Sequence, residues 1–319
     1  MLIDRTKPVS KFNFLLRACA LILLFLAPVF FGRFLQGVAT EVLIFGIFAM
    51  SLDLLIGFTG LISFGHALFF AVGAYTVVIL GVRFDLSPFV GIMAGIVLSI
   101  GVAAAVGYLC IRVSGIAFLM LTMAFSQLFY SMAIKWRSLT GGSDGVGGLD
   151  RPSIFGLDLE KPLVFYYCVL IVFLIVLWAM RRLINAPLGH ALVGIRENDA
   201  RMRSIGFPVQ SYKLIAFIIA GGIAGLAGGL FAVYAGFVSA DLVYWTRSGE
   251  VLIMTVLGGV GTLVGPALGA AIFIVAKIYI SSFTDHWLLV IGLIFVLCVL
   301  FFKQGVYGKA RAGWQRRFS

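Results

Sequence analysis

Between two long apolar stretches of this 319-residue chain stands RENDARMRS, residues 196–204. Arg196, Glu197, Asp199, Arg201 and Arg203 carry charge and Asn198 is polar, in a chain that is 62% hydrophobic and only 12% charged. Leu192, Ile195, Met202 and Ile205 fall within about 140° of a helical wheel, and the charges take most of the rest. The spacing predicts one short amphipathic helix, bounded by Gly194 and by Gly206-Phe207-Pro208. A helix lying on lipid headgroups has a clean basic polar face. This one mixes acids with arginines, which favours docking on another protein.

Other residue types able to do chemistry are scattered. Asp53 and Glu41 lie in or near a membrane-length apolar run, where an ionisable residue is a functional suspect; either can equally face a wet cavity. His66 follows Gly65 at a helix start and reads as a satisfied structural histidine or as a residue along a polar path. Glu250 opens a short helix, where a carboxylate suits the dipole. Asp144, in Thr140-Gly-Gly-Ser-Asp-Gly, suits a turn or an external contact. No phosphate-binding GxxxxGK[ST] loop, nucleophile elbow, zinc signature or paired carboxylates occur. The Gly259-Val-Gly261 turn lacks the strand, third glycine and acid of a dinucleotide site. Cys19, Cys110, Cys168 and Cys298 each sit in an apolar run, with no metal or redox spacing. Neither catalysis nor a bound metal or cofactor is expected of this chain.

The elements that must hold these residues are membrane helices. Residues 86–111, 113–134, 162–180, 214–240 and 251–276 carry no Asp, Glu, Lys or Arg. A spanning helix needs about 20 apolar residues, and these runs are too long and too uniform for barrel strands. The expected fold is all-α, a polytopic bundle of about 8–10 spanning helices. Helices are placed near 15–31, 40–57, 65–82, 87–111, 115–135, 162–181, 212–236, 248–260, 265–281 and 286–302, in one domain covering 1–319. Residues 1–31 read as a retained span, since no small-x-small cleavage site follows. With both termini cytoplasmic, 16 of the 24 basic residues fall inside and seven outside, with Lys277 within a helix. That bias fits the positive-inside rule. It also accounts for the net charge of +11 without nucleic acid. This topology puts loop 136–161 in the periplasm and segment 187–210 in the cytoplasm.

Two stretches interrupt the pattern, GFTGLISFGHALFFAVGAY (57–75) and LGGVGTLVGPALGAA (257–271). Their glycines, and Pro266 in the second, make continuous helix improbable. Non-helical backbone at membrane depth is tolerated where it meets protein or a polar path. The breaks near 57–66 and 257–266 therefore make Asp53, Ser63, His66, Gly261 and Gly265 candidates to line a translocation path. Gly221, Gly225 and Gly229, like Gly91 and Gly95, form small-residue stripes for close helix packing, within one subunit or between two.

The segment GIREN at 194–198, with Gly206 and Lys213-Leu214-x-Ala216-Phe217, resembles the coupling loop of LivM-type branched-chain amino acid permeases. Three more blocks resemble that family in order. They are GLISFGHALFFAVGAY (60–75), LMLTMAFSQLFYSMAIKWRSLTGGSDGVGGL (119–149) and SGEVLIMTVLGGVGTLVGPALGAA (248–271). The likeness covers roughly 40–300. It departs at Arg201 and Met202, where the family pattern has an Ala-Ala pair, and at Asp53, where Asn is expected.

The resemblance implies the permease half of an ATP-driven importer in a bacterial inner membrane. Its implied partners are a paralogous permease subunit in a heterodimer, two ATP-binding subunits, a periplasmic solute-binding protein and membrane lipid. ATP and Mg would be bound by the ATP-binding subunits. Arg196, Glu197, Asn198, Asp199, Arg201, Arg203 and Gly206 are the expected coupling residues, and Thr140 and Asp144 the expected binding-protein contacts. The substrate reads as a branched-chain or related amino acid, with urea or a short amide as alternatives. An ion-coupled secondary transporter is a further reading, for which Asp53 alone is thin support.

Overall fold

The computed structural model describes residues 24–26, 28–149 and 159–284, with isolated positions from 286 to 305. Among these the regular structure is helical apart from one two-residue strand pair. In chain order the helices are α1 (Arg33–Asp53, extended by a π-helical turn, Leu54–Thr59), α2 (His66–Phe84), α3 (Pro88–Cys110), α4 (Ile116–Lys135), α5 (Arg137–Thr140) and α6 (Pro162–Ile184). There follow α7 (Pro187–Glu197), α8 (Asp199–Ser204), α9 (Val209–Ala235), α10 (Trp245–Gly258) and α11 (Val264–Ser281).

Seven of the described helices are long and apolar enough to span a bilayer: α1 with its π turn, α2, α3, α4, α6, α9 and α11. The expected spans 15–31 and 286–302 lie largely outside the described residues. The helix expected at 248–260 is shorter than a span: α10 has 14 residues, about 21 Å at 1.5 Å per residue. It descends beside α1 and hands over to α11, which returns. Pro88 and Pro162 open α3 and α6, where proline's missing N–H costs nothing.

Burial separates a core from a lipid face. The π-extended α1 is buried almost throughout its inner half, from Leu43 to Leu55. It packs against α6, α9, α10 and α11, while α2, α3 and α9 form a second cluster beside it. Val97, Met120, Leu128, Ile175 and Trp178 stand exposed on the outer helices, an apolar surface suited to lipid.

The small-residue stripes lie within this subunit. A side chain at Gly225 would strike Ser99, and one at Gly95 would come 3.0 Å from the Gly73 carbonyl. Ser99 Oγ donates across the same contact to the Phe69 carbonyl at 3.0 Å. Loop 136–161 carries more order than the sequence suggests. It begins with α5, and Val146–Gly147 pairs antiparallel with Phe237–Val238. That pairing ties the loop to the end of α9.

Candidate functional site

The two breaks and the charged segment meet at one junction. α1 ends in a wide π-helical turn, and Gly60, at φ 75, closes it. The chain then runs without regular structure to Gly65 before α2 begins. Across from it, α10 stops at Gly258 and α11 starts at Val264. Asp53, fully buried, holds the second break: its carboxylate accepts from the Gly261 N–H at 2.6 Å and the Leu263 N–H at 3.1 Å. Leu263 sits at φ 60, a conformation costly for a branched side chain and held only where its surroundings over-determine it. Gly57 allows the approach, because a Cβ there would lie 2.5 Å from both Asp53 Oδ1 and the Gly261 nitrogen.

The charged segment reaches this junction through Arg196. At the end of α7, its guanidinium donates to the Gly57 carbonyl. A Cβ at Gly60 would lie 3.1 Å from Arg196 Cγ, and one at Gly261 3.7 Å from its Nη1. Arg196 therefore touches both breaks and stands within electrostatic reach of Asp53. π turns recur at functional positions because they misalign the carbonyl ladder. Here a carbonyl of that turn accepts from a side chain.

The segment itself differs from the single helix expected. It folds as two helices, α7 and α8, separated at Asn198, whose backbone is extended (φ −158, ψ 97). Asn198 Oδ1 accepts from the Arg201 N–H at 2.9 Å, an N-cap that pulled the chain out of helix there. The apolar stripe divides with it: Leu192 and Ile195 are buried, Ile205 is 63% exposed. Asp199 is likewise turned inward. It pairs with Lys213 of α9 at 2.7 Å and with Arg203 at 3.0 Å. Burial raises its pKa, but the bonds from Arg203 and Lys213 outweigh that and hold it below the ordinary carboxylate value. Arg196, Glu197, Asn198, Arg201, Arg203 and Gly206 are exposed.

The path candidates are interior to the subunit. Asp53, Ser63 and His66 are fully buried, and Gly265 is buried as well. His66 stacks on Phe48 at 5.5 Å, and its Nε2 lies 2.8 Å from Ser51 Oγ. Because Ser51 Oγ donates to the Phe48 carbonyl at 2.6 Å, His66 Nε2 is the donor in that contact. The backbone freed by the breaks is met by side chains. The Ala67 N–H donates to Ser248 Oγ at 2.9 Å, the Phe64 N–H to Thr122 Oγ1 at 3.2 Å and the Gly265 N–H to Thr262 Oγ1 at 3.0 Å. What the breaks expose is Gly60, Ile62 and Val260, with Gly261 half-buried. Thr140 donates to the carbonyls of Ala133 and Trp136 and closes α5, while Asp144 is exposed and accepts from Ser143.

Comparison with known proteins decides what this arrangement belongs to. Residues 34–299 match the family described as the permease component of branched-chain amino acid transport systems. The chain belongs to this family. Among its relatives is the high-affinity branched-chain amino acid permease LivM of Escherichia coli K12, 28% identical over 312 residues, covering 89% of this chain and 72% of that one. The autoinducer 2 import permease LsrC of Enterobacter sp. 638 is 31% identical over 147 residues, 43% of this chain and 38% of its own length. A tyrosine transport permease of Clostridioides difficile is 25% identical over 126 residues, 39% of this chain and 36% of its own. No solved structure matches. The chain is a multi-pass membrane permease subunit of an ABC importer.

Sequence reasoning missed Arg196 as a link to the π turn and Asp53 as the clamp of the second break. The spacing alone held no signal for either, because both partners are backbone atoms far away in the chain.

Proposed function

We propose that the chain forms half of a translocation path for branched-chain or related amino acids, pairing with a paralogous permease subunit. ATP-binding subunits dock on segment 187–210 from the cytoplasm and bind the ATP and Mg. A solute-binding protein delivers substrate from the opposite face, with Thr140 and Asp144 near its contact. The observation that carries this reading is the contact from Arg196 to Gly57. It ties the charged segment to the π turn, and through Gly261 and Asp53 to the second break. A displacement of α7 by a docked ATPase thus has a direct route to both breaks.

The docking surface in this reading is Glu197, Arg201, Arg203 and Ile205, with Gly206 turning the chain back toward α9. Asn198 and Asp199 shape the segment, and Arg196 transmits its movement. The path at the breaks runs along the exposed Gly60, Ile62 and Val260, beside Gly261. Asp53, Ser63, His66 and Gly265 hold that backbone from behind.

The test is reconstitution with candidate partner permease, ATP-binding and solute-binding subunits. The reading expects amino-acid uptake that depends on ATP and on the binding protein. Uptake driven by an ion gradient without ATP would overturn it in favour of a secondary transporter.

A further inference from the structure

The second break has a contact that neither Asp53 nor Arg196 makes, and it comes from a distant part of the chain. Gly305 is buried, with φ 66. A Cβ on it would lie 2.5 Å from Gly259 Cα, 2.6 Å from the Gly259 nitrogen and 2.9 Å from the Gly258 carbonyl carbon. Backbone meets backbone here, an approach that a glycine permits. The polar groups of Gly259 are used within the break itself. Its N–H donates to the Thr255 carbonyl at 3.0 Å, and its carbonyl accepts from Thr262 Oγ1 at 2.7 Å. Gly305 therefore meets it by van der Waals contact. Gly258, one residue earlier, is met as closely by α11, since a Cβ there would strike the Gly265 carbonyl. The end of α10 is thus packed against both α11 and Gly305.

The place of this contact matters. Gly259 is buried and the next residue, Val260, is exposed. Gly305 therefore stands directly behind the exposed edge of the break. Two residues beyond Gly259, Gly261 is held by Asp53 and lies beside Arg196. Asp53 also holds Leu263. The five residues between α10 and α11 are accordingly gripped at Gly259, Gly261 and Leu263. A short segment pulled at one point turns only if another point is fixed. Close-packed backbone passes a displacement on instead of absorbing it.

We infer that Gly305 is a positioning residue for transport, the abutment of the second break. It holds Gly259 while Arg196 acts near Gly261, so the break swings about its α10 end and Val260 shifts on the path. The apolar run 286–302, which precedes Gly305 in the sequence, fixes the abutment in place. This inference rests on the proposed route from Arg196 to the breaks and supplies the fixed point that the route needs.

The test counts leucine molecules imported per ATP hydrolysed by the complete importer in proteoliposomes. Co-purification with the ATP-binding subunits is the assembly readout. The ratio describes the complexes that work, so a loss of folded protein alone does not move it. Three variants separate the possible roles. Gly305→Ala adds a Cβ at the contact. Gly305→Asn adds one on a residue that tolerates the left-handed φ. Two glycines inserted between Lys303 and Gln304 slacken the tether without adding bulk. All three are expected to assemble and to import at least fivefold fewer molecules per ATP. A ratio within twofold of wild type in Gly305→Asn would make Gly305 a turn former and overturn the inference. The same result in the insertion variant overturns it as well, because the break then needs no fixed abutment. Failure of all three to assemble also overturns it, since the contact then serves folding alone. None of these results touches the permease role. A wild-type complex without ATP-dependent leucine uptake overturns the proposed function itself, and the inference with it.

Discussion

The inner junction and the outer charged cluster are both polar places in an apolar bundle, but they are built oppositely. At the junction, Asp53 is fully buried and both carboxylate oxygens accept backbone N–H groups. At the cluster of α1, α10 and α11, Glu41, Arg247, Glu250 and Lys277 are half-buried charges of both signs, and Arg247 pairs with Glu250 at 2.9 Å. Satisfied buried polar networks rigidify and specify one arrangement. The junction is thus suited to passing on movement. The cluster leaves its charges partly open to a surface.

The comparison breaks most severely at Gly57. Gly57→Leu would drive a side chain into Asp53 and Gly261, and backbone cannot yield as a side chain does. The expected result is loss of a monodisperse permease in detergent, read by size-exclusion chromatography; recovery in wild-type yield would mean the breaks are not clamped together.

Next in size is Asp53→Ala, which orphans the Gly261 and Leu263 N–H groups at about 1–3 kcal/mol each. Thermal melting of the purified subunit should show it, with Asp53→Asn intermediate because one acceptor oxygen survives. An unchanged melting temperature in Asp53→Ala would contradict the clamp.

Asp199→Ala comes third. Lys213, 9% exposed, loses its partner. The expected cost is about 1–3 kcal/mol, below the 3–5 kcal/mol of a fully buried pair because Asp199 is one-third exposed. Hydrogen exchange over 187–208 should rise. The same link sets a pH dependence. The Asp199 pKa is lowered by folding, so its stabilisation is full above the ordinary carboxylate pKa. It is lost as pH falls through that range toward the folded value. The protection factor of this segment, taken against the intrinsic exchange rate at each pH, should fall with acidification in wild type and not in Asp199→Ala.

Smallest of all is Arg201→Ala. Its side chain is on the surface of α8, so subunit stability should shift by less than about 0.5 kcal/mol. Affinity for the ATP-binding subunits should fall; equal affinity would remove Arg201 from the docking face.

Much of this was legible in the sequence. Long uncharged runs marked the spanning helices, since a helix satisfies its own backbone in lipid and the runs are too long and uniform for barrel strands. The glycines and Pro266 marked both breaks. The charged segment was found by its contrast with its surroundings. What stayed hidden had one physical cause: the deciding contacts are between side chains and distant backbone. Arg196 and Arg201 are arginines of the same charged run and both are exposed, yet it is Arg196 that bonds the Gly57 carbonyl. Asn198 looked like another polar helix position until its capping bond split the helix. Asp53 and Glu41 both appeared as lone acids in an apolar run. Only the packing of α10 and α11 shows that one is enclosed and the other gathered with three more charges. The short helix α5 and the strand pair lay in a loop whose composition signals turns and nothing longer.

The central claim is that movement of the charged segment reaches the breaks through Arg196. The most direct measurement is the number of substrate molecules imported per ATP hydrolysed by the reconstituted importer carrying Arg196→Ala. The account predicts that this ratio falls at least tenfold while the variant still binds the ATP-binding subunits. A ratio within twofold of wild type would contradict it.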